Sequence, residues 1–400
     1  MNDNQKKLVK ATVPVLKTNG TDLTKHFYTR MFKHNPELKN IFNMSNQASG
    51  KQQHALAGAV LAYAEHIENP GVLIDVLKSI GNKHVSLNIT PEQYDIVGLH
   101  LISSIQEVLG EAANTELIEA WTQAYNELAQ IMISIEDGIY KSTLEKNGGW
   151  KGWRAFIISD IIEESSEIKS FYLQPKDGKT IADYLPGQYI SIKTFIPSLG
   201  YEQPRQYSLS SAFMPDYYRI SVKKEKNTQS FPDGVVSNVL HQKAIGDEIW
   251  VSAPAGVFHA NPSSENPLVL ISGGVGITPL LSMLETNKNN LQKNTVVWLH
   301  SCRDEKVHAF KNHVNQLNEN NYWLTTHIFY ENLTTDTDIA KKGRIDLHEM
   351  KDDILIDKAK YYICGPEAFI KAQYNSLIQL GVSKEDILYE EFGPQLLHLN

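Results

Sequence analysis

The chain has 400 residues, 42% of them hydrophobic and 21% charged, and its 46 acidic and 38 basic side chains leave a formal net charge of −8. These are the proportions of a soluble globular protein, long enough for about two or three domains, and the acidic balance, with no basic block, excludes a nucleic-acid-binding surface. Two isolated cysteines, Cys302 and Cys364, exclude a disulfide framework and a cysteine-based metal centre.

The opening "MNDNQKKLVKATVPVL" is charged and amphipathic and lacks the continuous apolar core of a signal peptide, so a cytoplasmic protein is expected. From residue 4 to about 142 the apolar spacing is helical: Leu56, Ala59, Val60, Tyr63 and Ile67 recur every three or four residues, as do Leu117, Trp121, Ala124, Leu128 and Met132. Thr21-Asp22, Thr90-Pro91-Glu92 and Asn114-Thr115-Glu116 read as helix starts, and Gly20 and Gly110 as stops. The expectation is an all-α domain over 1–142, of about six to eight helices. Within it "SIGNKHVSLNITPEQY" sets His84 at the end of a short helix; as one of 14 histidines it carries little weight as a metal ligand by itself.

Glycines and polar residues in "STLEKNGGWKGW" read as a linker over 143–153. The runs "FIISDIIEE", "IKSFYLQPK", "GQYISIKTFI", "RQYSLSS", "YYRISVKKE" and "DEIWVSAPAG" follow, separated by turn residues, and predict an antiparallel β-barrel over 154–262. Over 263–400, strands such as "LVLISGG", "TVVWLHSC" and "YYICG" alternate with helical stretches, which predicts an α/β domain with a parallel sheet. Residues 266–284 carry no charge, nearly a membrane-spanning length, but Gly273, Gly274, Gly276 and Pro279 divide them into strand, turn and helix start, so no membrane span is expected.

Three motifs carry chemistry. "PRQYSLSS" offers an arginine that can fork onto a phosphate, a tyrosine that can stack on a heterocycle and a serine that can reach a ring nitrogen; an ordinary strand also contains such residues. "ISGGVGITP" follows an apolar strand and opens a helix, where glycines admit a pyrophosphate to free N–H groups. "ICGPEAF" also follows a strand, and the two turns are expected to meet at one sheet edge.

In this order, over residues 150 to 400, the motifs resemble those of the ferredoxin reductase family. The resemblance implies FAD held by Tyr189, Arg205, Gln206, Tyr207 and Ser208, with Gly234, Val235, Val236 and Ser237 of the "DGVVSNVLH" loop near its pyrophosphate. It places NADH or NADPH over Gly273, Gly274, Val275, Gly276, Ile277, Thr278 and Pro279, with Cys364, Gly365 and Pro366. In the ending "YEEFGP" it sets Phe392, with Gly393 and Pro394, against the flavin; a core phenylalanine is the alternative. After the second α/β strand Arg303 suits a ribose 2′-phosphate and Asp304 a 2′-hydroxyl, and the reading leans to NADH.

The helical part, with "LTKHFYTRMFKHNPELKNIFNMSNQ", "GKQQHALAGAVLAYAEHIEN" and "NKHVSL", and indeed the whole chain, resembles bacterial flavohaemoglobins. That likeness implies a globin fold with haem b, His84 as proximal iron ligand, Phe42 packed on the haem, and Tyr28, Gln52 and Leu56 on the distal side. It puts Tyr94 and Glu136 behind the histidine, and makes Lys83 and Glu390 tune electron transfer. Helical steps put Gln52, Leu56, Ala59 and Tyr63 on one face and turn the rival His54 about 200° away from Gln52, to the surface. Tyr28 as a core tyrosine and Glu136 at a solvated helix terminus are the plainer alternatives. The implied activity is nitric oxide dioxygenase: electrons pass from NAD(P)H through FAD to haem, and O2 on ferrous haem converts NO to nitrate. The alternatives are a general NAD(P)H-dependent or alkylhydroperoxide reductase, and a haem gas sensor or oxygen store. A monomer is expected, with a lipid or other hydrophobic ligand as a further occupant of the distal haem pocket.

Overall fold

The structure, a computed structural model, describes residues 1–225, 234–290, 293–333 and 340–393. It divides into two units, Met1–Trp153 with Lys193–Arg205, and Arg154–Ile192 with Gln206–Asn400.

The helices of the first unit are α1 (Asp3–Ala11), α2 (Val13–His34), α3 (Met44–Ala48), α4 (Lys51–Glu65), α5 (Ile74–Ser86), α6 (Pro91–Leu109) and α7 (Thr115–Glu145). Side chains serve two of the starts: the Gln93 side chain accepts the Thr90 N–H at 3.1 Å on α6, and Asn114 accepts the Leu117 N–H on α7. Gly110 follows α6 directly. Gly20 stops nothing, because α2 runs straight through it and through Thr21-Asp22. A Cβ at buried Gly20 would lie 3.5 Å from the Ala57 Cβ of α4, so burying this face of α2 outweighs the roughly 1 kcal/mol that glycine costs a helix. Phe27 and Met31 of α2 share one core with Val60, Tyr63, Ile105 and Trp121. Burial of each large side chain there stabilises by about 1.5–3 kcal/mol.

The first sheet contains β1 (Trp153–Glu163), β2 (Ile168–Pro175), β3 (Tyr189–Ile196), β4 (Tyr201–Ser208), β5 (Tyr218–Lys223) and β6 (Glu248–Ser252), in the order β4-β3-β6-β1-β2-β5. β1–β2 and β2–β5 pair antiparallel, and an antiparallel bridge from Leu209 to Ile220 brings the chain leaving β4 onto β5, closing the barrel. The "DGVVSNVLH" stretch, expected as a loop, is largely helical: α8 spans Val235–His241, and its Val236 and Leu240 are buried.

The α/β part continues through β7 (Leu268–Gly273), α9 (Ile277–Asn289), β8 (Val296–Cys302), α10 (Lys311–Asn320), β9 (Leu324–Tyr330), β10 (Lys341–Lys342), α11 (Lys351–Ile354), β11 (Lys360–Gly365), α12 (Glu367–Gln379) and β12 (Ile387–Glu391). Its sheet is parallel, in the order β10-β9-β8-β7-β11-β12. Every residue of β7 and β8 is buried, as a strand covered on both faces requires. The chain moves outward from β7 through β8 and β9, then returns to β11 on the other side of β7, so a crevice forms at the carboxyl ends of β7 and β11. Among the described residues no helix is long and apolar enough to cross a membrane.

Candidate functional site

His84 lies in the last turn of α5. Its Nδ1 is 2.8 Å from Glu136 Oε1 and 2.9 Å from the Tyr94 hydroxyl, which donates to the same carboxylate oxygen. With Nδ1–H directed at a carboxylate, the ring presents the Nε2 lone pair, the donor an iron would take. Glu136 is only 3% exposed, which rules out the solvated-terminus reading. Two glycines let the helices close in on this group. A Cβ on Gly81, one turn before His84, would lie 2.8 Å from Ile135 Cγ2 of α7, and one on Gly98 would lie 2.4 Å from the Tyr125 ring. The Tyr125 hydroxyl in turn donates to the Tyr94 carbonyl at 2.5 Å. Burial, with the Glu136 charge adding to it, pushes the Tyr94 hydroxyl well above its ordinary pKa, so it stays a donor.

Tyr28 is buried on α2; burial raises its pKa and keeps the hydroxyl protonated, while the nearby Gln52 and Gln47 side chains act in the opposite direction. The Phe42 ring stands edge-on to Tyr28 at 5.8 Å, and Phe32 stacks on Tyr28 at 5.9 Å. Leu56 is partly buried against the same core. His54 is exposed, as expected, with Nδ1 2.8 Å from the Gly50 carbonyl. Gln52, Leu56, Ala59 and Tyr63 lie within about 60° of one another round α4, at 100° per residue, as expected. α4 buries Gln53, Val60, Tyr63 and Ala64 and leaves Gln52 and Leu56 half-buried and Ala59 exposed, so this face enters the packed core at Tyr63. Sequence reasoning missed Gln47 and Gln53. The Gln53 amide donates to the carbonyl of Gln47 at 3.1 Å and to its side-chain oxygen at 3.0 Å, while Thr24 Oγ1 donates to the Gln53 carbonyl at 2.9 Å. A polar run such as "NMSNQASGKQQ" has no periodicity to single them out.

β4 ends in Arg205, Gln206, Tyr207 and Ser208. Arg205 donates to the Pro204 carbonyl at 2.7 Å and to Ser45 Oγ at 3.2 Å; the Gln206 amide donates to Ser191 Oγ at 3.3 Å. Tyr189 pairs its N–H and carbonyl with Ala255, both at 2.9 Å. Gly256, at φ +118°, leaves room for the Tyr189 ring, from which a Cβ would be 2.9 Å. At α8, Ser237 Oγ donates to the Gly234 carbonyl at 2.9 Å, with Val235 and Val236 between them. Phe392 is 46% exposed, so it is no core residue. Gly393 follows it, and Pro394 lies outside the described residues.

At the β7–β11 crevice a cradle exists that side chains would fill. A Cβ on Gly276 would fall 2.2 Å from the Cys364 carbonyl, and one on Gly365 3.2 Å from Gly273 Cα. The two glycine turns therefore meet as expected. Gly274 takes φ +55°, and after Val275 and Gly276 helix α9 begins with Ile277, Thr278 and Pro279, its first turn offering N–H groups to a pyrophosphate. Pro366 caps α12 on the other side. Burial, with the Glu390 charge adding to it, pushes the Cys364 thiol up. Lys83 precedes His84 on α5, and Glu390 lies opposite Cys364 in the β11–β12 pairing.

Models of known families match the chain in three places: Globin over residues 25–132, the oxidoreductase FAD-binding domain over 155–260 and the oxidoreductase NAD-binding domain over 270–375. Fold and sites thus define a haem globin joined to a flavin- and nicotinamide-dependent reductase module. The chain is 48% identical over 392 residues to the flavohemoprotein of Bordetella pertussis, covering 96% of this chain and 97% of that one, and 48% identical over 398 residues to that of Rhizobium meliloti, covering 98% of each. It belongs to the flavohemoprotein family, an NAD(P)H-dependent haem oxidoreductase whose cofactors are haem, FAD and a nicotinamide dinucleotide. The crystal structure of flavohemoglobin from Malassezia yamatoensis with bound FAD and haem matches at a TM-score of 0.86 and 26% identity, over 98% of this chain and 99% of that one. The FAD/NAD-binding domain of nitric oxide dioxygenase from Vibrio cholerae O1 biovar El Tor matches at a TM-score of 0.55 and 37% identity, over 60% of this chain and 99% of that one.

Proposed function

We propose that this flavohemoprotein is a nitric oxide dioxygenase, using NAD(P)H and O2 to convert NO to nitrate, with His84 as its iron ligand. The bond from His84 Nδ1 to buried Glu136 carries the reading. A carboxylate at that position makes the imidazole more basic and favours O2 activation over reversible storage. Bound, the cofactors supply hydride transfer, single-electron transfer and O2 activation at iron. On the distal side Tyr28 donates from a buried hydroxyl beside Gln52 and Gln47, on a ring packed against Phe32 and Phe42, so it needs little reorganisation during reaction. Phe42 and Leu56 wall the haem, and Tyr94 steadies His84 and Glu136 together.

On the reductase side Tyr189, Arg205, Gln206, Tyr207 and Ser208 hold the flavin, with Gly234 to Ser237 beside its pyrophosphate and Phe392 against its ring. The close approach of Gly276 to Cys364 and of Gly365 to Gly273 admits the nicotinamide dinucleotide. Lys83 and Glu390 tune the electron transfer. The likeness to the Vibrio cholerae reductase domain supports the choice of NO as substrate. The test is NADH oxidation under air with and without NO. Strong stimulation by NO, with stoichiometric nitrate, is expected; NO-independent oxidation without nitrate would leave a general reductase.

A further inference from the structure

We propose that Glu167 sets a preference for NADH over NADPH by occupying the guanidinium that would otherwise bind a ribose 2′-phosphate. The inference rests on the nicotinamide site proposed above. β8 pairs with β7 so that Ser301 stands opposite Gly273, which puts Arg303 and Asp304 just past the end of β8, beside the glycine turn. In dinucleotide-binding sheets the adenosine ribose lies at the end of this second strand, where an acidic residue accepts the 2′-hydroxyl or an arginine takes the 2′-phosphate. Both residue types occur here, so the pairing of the arginine decides.

Arg303 is engaged from two sides. One guanidinium nitrogen is 2.7 Å from Glu167 Oε1, and Nε is 3.4 Å from Asp304 Oδ2. Glu167 belongs to the turn between β1 and β2, and its position does not depend on the ion pair. Its N–H donates to Ser165 Oγ at 3.3 Å, its carbonyl accepts from the Lys224 N–H at 2.8 Å, and the neighbouring Ser166 N–H donates to the Lys306 carbonyl at 3.0 Å. These contacts dock the turn on the segment after β8 and deliver a carboxylate to Arg303. A 2′-phosphate would have to displace that carboxylate and then lie beside it, with Asp304 as a second negative charge. A 2′-hydroxyl meets neither obstacle, and the Asp304 carboxylate, which caps the turn through the Lys306 N–H at 3.0 Å, suits it as an acceptor.

The test is reduction of ferricyanide by the full-length holoenzyme with NADH or NADPH, which needs flavin and nicotinamide but neither O2 nor NO. The wild type is expected to prefer NADH. In Glu167→Gln, which keeps the backbone contacts, kcat/KM for NADPH should rise roughly three- to tenfold, as loss of a half-exposed ion pair allows, with NADH changed less than about twofold, and salt should shrink the difference. Arg303→Gln placed in the Glu167→Gln background gives a second arm: with the freed guanidinium gone, the gain in NADPH use should disappear. An unmoved cofactor ratio in Glu167→Gln, or a gain in NADPH use that survives in the double variant, overturns the role of Glu167 alone. A wild type that oxidises neither nucleotide overturns the site and the proposal with it.

Discussion

Glu136 accepts a 2.8 Å hydrogen bond from His84 Nδ1 across a sequence separation of 52 residues, joining the last turn of α5 to the middle of α7. The negative charge of this carboxylate, beyond its hydrogen bond, is what would raise the basicity of the histidine. Glu136→Gln keeps the shape and an acceptor oxygen but removes the charge. NO-dependent NADH oxidation should fall roughly 10- to 100-fold, and the iron–histidine stretch in the resonance Raman spectrum should move to lower frequency. Flavin reduction by NADH should stay at the wild-type rate. An unshifted iron–histidine mode would remove Glu136 from the chemistry.

Tyr28→Phe probes the opposite side. The phenyl ring still fills the core beside Phe32 and Phe42, while the buried hydroxyl beside Gln52 and Gln47 is gone. Loss of one pre-placed donor should lower NO turnover by roughly 100-fold, with stability down by only about 1 kcal/mol. Stopped-flow measurement of flavin reduction and of NO decay separates the two effects. Undiminished NO decay would show that Tyr28 is a core tyrosine and nothing more.

These two residues also mark how far the sequence can be read. The helical, barrel and α/β parts are legible because burial repeats every 3.6 or two residues, and the glycine turns because a close backbone approach needs glycine at the spot itself. The Glu136–His84 bond has no local signature: resemblance put the two together, and only the packing of Gly81 against α7 explains how they meet. Gln47 was invisible in a polar run, and Gly20 misled because its local helix penalty is smaller than the gain from burying α2. The short α8 escaped because seven residues hold too few turns for a period to emerge.

Gly276→Ala addresses the reductase crevice. The added Cβ would sit 2.2 Å from the Cys364 carbonyl oxygen and 2.7 Å from the Gly365 nitrogen, both backbone atoms that no rotamer change can move. The β7–β11 turns must separate, at a cost of about 1–3 kcal/mol if they yield as overpacked cores do. The KM for NADH should rise at least roughly tenfold if the distortion falls on the binding turn, while the haem spectrum stays native. A KM within about twofold of wild type would place the pyrophosphate elsewhere.

The last prediction concerns acid. His308 is buried beside His300, ring centroids 4.6 Å apart, with Nδ1 2.7 Å from the Tyr330 hydroxyl. Burial, with Lys311 adding to it, lowers its pKa from 6.5 to about 4, and His300 is depressed by burial in the same sense. The folded state therefore binds fewer protons than the unfolded chain between these values, so the stabilising contribution is complete above pH 6.5, declines as pH falls and is gone below about 4. From the two pKa values of His308 alone, the loss is on the order of 1 kcal/mol at pH 5.5 and roughly 3 kcal/mol once the window is crossed. Urea unfolding followed at pH 7.5 and 5.5 measures it, provided the wild type is compared with His308→Gln, which does not titrate. The variant should be less stable at pH 7.5 yet lose less on acidification. Equal losses in the two proteins would mean that other groups carry the acid sensitivity.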